Sequence, residues 1–183
     1  MIYFTSDTHF GDDRLNLYGR DIIFNSVEEC DTHIIKQWNL TVNPDDIVYL
    51  LGDVAMNMAS YKKVKSLNGH KILIKGNYDE KYTDNFLLLF FNEVKSSDVF
   101  TYEKQIFYLN HYPTNGDDTM FNLVGHIHGL WRVQRNMINV GCDAWHFTPI
   151  SINQILFVKT AIEKYYDGNV FAGELKCNTK HIK

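Results

Sequence analysis

The segment FTSDTHFG, residues 4–11, ends an apolar run with an aspartate and a histidine two positions apart. The residues IYFT at 2–5 predict a short β-strand, which places Asp7 and His9 at its carboxyl end. An aspartate at a strand end is most often a turn or cap residue, so this segment alone does not indicate chemistry. Its meaning depends on the residues at the ends of the other strands.

Other apolar runs rich in β-branched and aromatic residues also predict strands: IVYLL at 47–51, KILIK at 71–75, QIFYL at 105–109, NLV at 122–124 and MINV at 137–140. Four of these runs are followed by Asp, Asn or His, in the segments GDVA, GNYD, NHYP and GHIHG. Apolar spacing and capping residues predict helices over 27–38, 59–69, 80–94 and 151–166. The alternation of strands and helices predicts one layered α/β domain with mixed sheets over residues 1–183.

Composition restricts the setting. A formal charge of -4 and a pI near 6.0 provide no general basic field, so strong non-specific binding to nucleic acid is not expected. The longest strongly apolar run, FLLLFF at 86–91, is much shorter than the roughly 20 residues of a membrane helix. The three cysteines are far apart, which indicates neither a disulfide framework nor a thiolate zinc site. We therefore expect a soluble, cytoplasmic protein.

The polar residues at the ends of these strands form a candidate metal site. Loops at the carboxyl ends of strands converge in a crevice in α/β folds, so segments distant in sequence can deliver their side chains to one place. The candidate ligands are Asp7, His9, Asp53, Asn77, His111, His126 and His128. A set of nitrogen and oxygen donors without sulfur, too large for one tetrahedral zinc, suits two divalent cations that share a carboxylate and clamp a phosphoryl centre.

These motifs, in this order and spacing, resemble those of the calcineurin-like metallophosphoesterases, most closely the small single-domain bacterial and phage-type members. The resemblance extends from Ile2 to about Ile155 and includes LNGHKILIKGNYD and NVGCDAWHFTPIS. It implies a four-layer sandwich of two mixed β-sheets flanked by helices. It also implies two metal ions per chain, of which Mn²⁺, Fe²⁺ and Zn²⁺ are the expected candidates.

The resemblance assigns a role to each candidate ligand. By that assignment Asp7, His9 and His128 bind one ion, Asn77, His111 and His126 bind the other, and Asp53 bridges both. With neutral histidines, two dications and two carboxylates leave a formal charge of +2, which a bridging hydroxide reduces to +1. We therefore expect an anionic phosphate ester or nucleotide as substrate, attacked in line by that hydroxide.

The segment GNYD departs from the family's usual GNH[DE], so that Tyr78 replaces the histidine often assigned to protonating the leaving group. A phenol, with a reference pKa of about 10, matches neutral pH less well than imidazole, which favours a phosphodiesterase over a monoesterase. Asp12 stands where many relatives are expected to have histidine. We assign supporting catalytic roles to Tyr78 and Asp79, and substrate phosphate binding to Arg14 and Arg20.

Two alternatives remain open at the level of sequence. The chain could be a binding or scaffold protein that keeps the fold but has weak catalysis, an interpretation that Tyr78 supports. It could also be a nuclease that acts on short nucleic acids, although the acidic charge balance disfavours this.

Overall fold

The first of two β-sheets carries most of the predicted donor loops. The computed structural model describes residues 1–165. The strands of this sheet are β1 (Ile2–Thr5), β2 (Ile47–Leu50), β3 (His70–Ile74), β4 (Glu93–Lys95) and β10 (Ile150–Ser151). They are ordered β10-β1-β2-β3-β4, with β10 antiparallel to β1 and the other neighbours parallel. The carboxyl ends of β1, β2 and β3 therefore lie side by side.

The second sheet is also mixed. Its strands are β5 (Asp98–Tyr102), β6 (Gln105–Leu109), β7 (Phe121–Val124), β8 (Val133–Gln134) and β9 (Met137–Asn139). They are ordered β5-β6-β7-β9-β8, and the central strands β6, β7 and β9 are parallel. The predicted arrangement of two mixed sheets flanked by helices is confirmed.

The helices close two apolar cores. Helix α1 (Val27–Thr41) packs Ile34 and Trp38 into a core with Val48 and Leu73 of the first sheet. A second core joins the two sheets to helix α3, and it includes Phe4, Leu109, Leu123 and Ile155. Helix α3 spans Ile152–Tyr165 and begins with a capping box, since Ser151 and Gln154 exchange side-chain and backbone hydrogen bonds.

Two of the predicted helices differ from the structure. The segment 80–94 forms only one turn of helix, α2 (Asp84–Leu87), before the edge strand β4 begins. The continuous apolar run FLLLFF has no helical periodicity, so its sequence does not distinguish a helix from another buried segment. In the structure Leu87 and Phe91 are buried, whereas Leu88 and Leu89 are exposed. The segment 59–69 contains a 3₁₀ helix, Ser60–Ser66, instead of an α-helix.

Two of the three cysteines lie within the described residues. Cys30 and Cys142 are free and buried, whereas Cys177 lies outside the described residues, as does Tyr166 of the predicted last helix. Within residues 1–165, no helix is both long and apolar enough to cross a membrane.

Candidate metal centre

The predicted donors lie in loops at the carboxyl ends of strands from both sheets. Asp7 and His9 follow β1, Asp53 follows β2, and Asn77 follows β3. In the second sheet, His111 follows β6, and His126 and His128 follow β7. Hydrogen bonds join the two sets of loops: the His126 amide donates to Asp7 Oδ2 at 3.0 Å, and His111 Nδ1 lies 2.7 Å from the Leu51 carbonyl oxygen.

The donors form two groups. The first donor group consists of Asp7, His9 and His128, and the second of Asp53, His111 and His126. Within each group, one ligand atom from every residue lies within 4.8 Å of the others. The first group is the triplet that the sequence resemblance assigns to one ion. The second group joins His111 and His126, which the resemblance assigns to the other ion, to Asp53, the predicted bridging residue, and does not include Asn77. Imidazole nitrogen and carboxylate oxygen are suitable ligands for Mn²⁺, Fe²⁺ and Zn²⁺.

Asp53 lies between the two groups. Its Oδ2 atom is 3.6 Å from His9 Nε2 in the first group and 3.5 Å from His111 Nε2 in the second. Its other oxygen, Oδ1, accepts a hydrogen bond from the Tyr78 amide at 2.9 Å, which fixes the carboxylate plane. One oxygen of Asp53 is therefore available to both groups, as a bridging ligand requires.

Several buried polar atoms at this site have no hydrogen-bond partner within the described part of the chain. They are both ring nitrogens of His9 and Oδ1 of Asn77. A buried polar atom without a partner costs roughly 1–3 kcal/mol, so native proteins rarely leave three such atoms together. Metal coordination would satisfy His9 Nε2 and Asn77 Oδ1, and the residues therefore fit the implied cations.

Most donors adopt a left-handed backbone conformation that only glycine adopts freely. The φ angles are 58° for Asp7, 47° for His9, 54° for Asp53, 73° for His126 and 51° for His128. Such conformations cost on the order of 1–3 kcal/mol each and concentrate at functional sites. Five of them among seven candidate ligands indicate a backbone shaped to direct side chains at a ligand.

Neighbouring glycines allow the loops to approach closely. A Cβ atom at Gly76 would lie 2.3 Å from Asp53 Oδ1, and one at Gly125 would lie 2.8 Å from Asp7 Oδ2. Neither distance is compatible with a side chain. These two glycines are therefore required by the packing of the donors, beyond any role in a turn.

Burial and neighbouring charges together determine the pKa values of the donors. Burial raises the pKa of the Asp7 carboxyl to about 6, although His111 and His128 oppose the shift. Burial lowers the pKa of His9 to about 3, which keeps its imidazole in the neutral form that binds metals. Burial also disfavours protonation of His111, but its hydrogen bond to Asp53 and the nearby Asp7 charge prevail and raise its pKa to about 9.

Asp79 lies behind the donors and is fully buried. Its Oδ2 atom accepts from the Asp53 amide at 2.7 Å and from the Gly76 amide at 2.9 Å. Its Oδ1 atom accepts from the Val54 amide and from the Tyr61 hydroxyl. The structure thus places this predicted catalytic residue where it positions Asp53 and the GNYD turn.

Arg20 is almost completely buried, and each nitrogen of its guanidinium has a partner. Nε and Nη2 donate to the carboxylate of Asp143 at 2.7 and 2.9 Å. Nη1 donates to the Thr8 carbonyl at 3.0 Å, and Nη2 also donates to the Asp7 carbonyl at 2.6 Å. This placement argues against the predicted contact between Arg20 and a substrate phosphate.

Asp143 is a site residue to which sequence reasoning assigns no role. Its Oδ2 atom lies 2.8 Å from His128 Nδ1, so the Nε2 atom of that ring is left for the site. Burial favours the protonated carboxyl, but hydrogen bonds from His128 and Arg20 prevail and lower the pKa of Asp143 to about 2. The only sequence signal is an acidic residue within the family-like segment NVGCDAWHFTPIS.

Arg14 lies at the rim of the site. Its Nε and Nη2 atoms donate to the two oxygens of Asp12 at 2.9 and 2.6 Å, and Nη2 also donates to the Tyr78 hydroxyl at 2.7 Å. Asp12 is buried and also accepts from the Tyr18 hydroxyl at 2.9 Å. Lys81 Nζ lies 4.1 Å from the centre of the Tyr78 ring. Two cationic side chains therefore lie beside Tyr78, of which Arg14 is paired with Asp12.

Comparisons with known proteins identify a sequence relative and a solved structure of the same fold, and neither has a named reaction. No protein-family model matches the chain. The uncharacterized protein MJ1445 from Methanocaldococcus jannaschii is 30% identical over 167 residues, which cover 85% of this chain and 89% of that protein. The Gene 66 protein of Mycobacterium phage L5 is 27% identical over an alignment of 184 residues, covering 78% of this chain and 86% of that protein.

Solved structures were also found to be similar to this chain. The crystal structure of AQ665 from Aquifex aeolicus, a protein of unknown function, has a TM-score of 0.70 and 23% identity, and covers 86% of this chain and 98% of that one. It shares the fold. Yfce, a phosphoesterase from E. coli, covers 76% of this chain and 77% of its own at 21% identity, with a TM-score of 0.43 that is too low to support an inference.

Proposed function

The chain belongs to the same family as the uncharacterized protein MJ1445 of Methanocaldococcus jannaschii, and we propose that it is a dinuclear metal-dependent phosphoesterase that prefers diesters. The observation that carries this proposal is the position of Asp53 Oδ2, 3.6 Å from His9 Nε2 and 3.5 Å from His111 Nε2. Two adjacent donor groups with a shared carboxylate favour paired cations over a single structural ion.

Two divalent cations at these groups would supply Lewis-acid activation of water and positive charge for the phosphoryl oxygens. The chain's own contribution is to orient the ligands. Asp143 and the Leu51 carbonyl each accept from the Nδ1 atom of a histidine, and so direct Nε2 of His128 and of His111 towards the site. Asp79 holds the backbone of Asp53.

Arg14 is placed to bind the substrate phosphate. Its two hydrogen bonds to Asp12 hold the guanidinium beside Tyr78, and its side chain is partly exposed. Because Nε and Nη2 are engaged in these bonds, Nη1 is the nitrogen left to donate a charge-assisted hydrogen bond to a phosphate oxygen. For Arg20 we propose a different role from the predicted one: it ties the backbone of Asp7 and Thr8 to Asp143.

The proposed preference for diesters, or for other substrates with a good leaving group, starts from Tyr78. This residue comes directly after Asn77 in the GNYD turn, and its hydroxyl is engaged with Arg14. A phenol donates a proton near neutral pH less readily than imidazole. Substrates whose leaving group departs without protonation, such as aryl diesters, should therefore be hydrolysed best.

The test combines metal analysis with turnover. Protein loaded with Mn²⁺ should hydrolyse bis(p-nitrophenyl) phosphate with a higher kcat/KM than p-nitrophenyl phosphate. Glu163→Gln is the control variant, because Glu163 is an exposed carboxylate that pairs with Lys159 on helix α3. It should leave both metal content and turnover unchanged. Two bound ions without turnover of any ester would favour the binding protein instead.

A further inference from the structure

A cleft of about 530 Å³ opens directly beside the donor groups. It is lined by residues 126–130, which include His126 and His128, and by Leu17 and Tyr18. Each donor group therefore contributes one histidine to the lining of this cleft.

The walls of this cleft are more apolar than polar. Apart from the two histidines, the lining contributed by the described residues contains no charged side chain. Leu17 is 61% exposed and Leu130 is 83% exposed, although large apolar side chains gain free energy from burial. Arg14 and Lys81, the cations beside Tyr78, do not line the cleft. Charged and apolar surfaces are thus separated around one site.

Tyr18 presents an aromatic face in this cleft. Its ring stacks on the imidazole of His128, with ring centres 4.1 Å apart and planes 20° apart. Its hydroxyl donates to the buried carboxylate of Asp12, so the polar end of the side chain is already bonded. The part of the ring that lines the cleft is therefore an apolar surface that needs no hydrogen bond from a ligand.

The other wall is also held in place. Asn139 is completely buried, and its side-chain amide donates to the carbonyl of His128 at 2.6 Å and to that of Trp131 at 2.7 Å. The segment 126–130 is therefore anchored at its end by hydrogen bonds from β9. A preformed apolar cleft binds an apolar group without a cost for ordering the loop.

We infer that this cleft binds the organic group of the substrate, and that this group is uncharged and apolar, such as an aryl or alkyl ester. The inference rests on the proposed function, since the cleft lies beside the site where the phosphate would bind. The phosphate oxygens would face the cations and Arg14, while the organic group would pack between Leu17, Tyr18 and Leu130.

A binding experiment tests this without requiring turnover. Phenylphosphonate and methylphosphonate carry the same anionic head and differ in the apolar group. Isothermal titration of Mn²⁺-loaded protein should show that the phenyl compound binds about tenfold more tightly, as burial of one ring predicts. Leu130→Ser and Leu17→Ser should each reduce this ratio to about threefold or less.

Leu89→Ser is the matched control, because Leu89 is 64% exposed and does not line the cleft. It should leave the ratio unchanged, and comparing ratios cancels any difference in ionisation between the two compounds. Equal binding of both compounds by the unaltered protein would overturn the inference. If bis(p-nitrophenyl) phosphate were still hydrolysed, the proposed function would stand; if neither phosphonate bound and no ester were hydrolysed, both would be rejected.

Discussion

His128 of the first donor group is oriented by a carboxylate, whereas His111 of the second is oriented by a backbone carbonyl. Asp143 accepts from His128 and is itself paired with the buried Arg20. The Leu51 carbonyl, which lies 2.7 Å from His111 Nδ1, comes directly after strand β2. The orientation of His128 thus depends on a chain of side chains, and that of His111 on the backbone at the end of a strand.

This difference determines how each group can be disturbed. A substitution can remove the carboxylate that supports the first group, but no substitution removes the carbonyl of Leu51. Asp53 lies between the two groups and should affect both. Some substitutions should therefore lower the metal affinity of one group, and others should lower the metal affinity of both.

The largest effect is expected for Asp53→Asn. Because one oxygen of Asp53 faces both groups, its loss should weaken both ions together. We expect metal affinity to fall by more than about a hundredfold, since even an outer partner of a ligand is worth about 10- to 100-fold. Metal content measured after dialysis should drop from two ions per chain towards none.

His9→Ala is the informative comparison for Asp53→Asn. His9 belongs to the first group alone, so this variant should retain about one ion per chain. An Asp53→Asn protein that kept two ions per chain would contradict a shared carboxylate. Circular dichroism of both variants should show that they remain folded.

Metal removal should produce the next largest effect, acting on both groups. The donors converge with unpartnered atoms on His9 and Asn77, and with Asp7 buried, so ions should bind the folded chain and not the unfolded one. Metal at about 100 times its dissociation constant contributes about 2.7 kcal/mol. For a chain of this size, the loss of one such ion lowers Tm by about 5–10 °C, so EDTA, which removes both ions, should lower Tm by about 10–20 °C. If the melting curve did not change after verified removal of metal, neither donor group could be a site that binds metal in the folded chain.

The donors were predictable from sequence, because each follows a short apolar run. Strand ends bring such residues together whatever the details of packing, and DTH, GHIH and GNYD are recognisable as local patterns. Their left-handed backbone was not predictable. Aspartate and histidine tolerate that conformation without being specific for it.

The support of the first group was not predictable because it is non-local. Arg20 and Asp143 are 123 positions apart, and only the packing of the 3₁₀ helix Arg20–Ile22 against the segment after β9 brings them together. An arginine near a predicted phosphate site therefore suggested a substrate contact. The absence of periodicity in 86–91 similarly concealed that α2 is a single turn.

Asp143→Asn should act on the first group alone. The variant keeps the shape of the side chain but removes the charge that orients His128, so affinity for one ion should fall by about 10- to 100-fold. The second ion should be retained, because Leu51 is unaffected. Titration with Mn²⁺, followed by metal analysis, should resolve one weakened and one unchanged site.

Asp46→Asn is the control for Asp143→Asn. It removes another buried carboxylate, whose partner is the amino group of Met1 and not a residue of either donor group, so it should lower stability without changing the affinity for either ion. If Asp46→Asn weakened the first ion as much as Asp143→Asn, general destabilisation would explain both results. Equal weakening of both ions in Asp143→Asn would show that the two groups are not independently supported.

The smallest effect is expected for Tyr78→Phe, although Tyr78 contacts both groups. Its amide donates to Asp53, and its ring lies edge-on to His9 with centres 4.9 Å apart. Phenylalanine preserves both contacts and removes only the hydroxyl that Arg14 binds. For an aryl diester, whose leaving group needs no proton, kcat/KM should fall less than about tenfold, or roughly 1.4 kcal/mol.

Esters with poorer leaving groups test whether Tyr78 protonates the departing oxygen. An alkoxide leaves only with a proton, so Tyr78→His should raise kcat/KM for an alkyl ester more than for an aryl ester. The measurement is kcat/KM for both esters in the unaltered protein, Tyr78→Phe and Tyr78→His, with the remote Tyr102→Phe as control. A loss of several hundredfold for the aryl diester in Tyr78→Phe would mean that the hydroxyl is essential. The contact between Arg14 and Tyr78 would then belong to the catalytic machinery that both donor groups share.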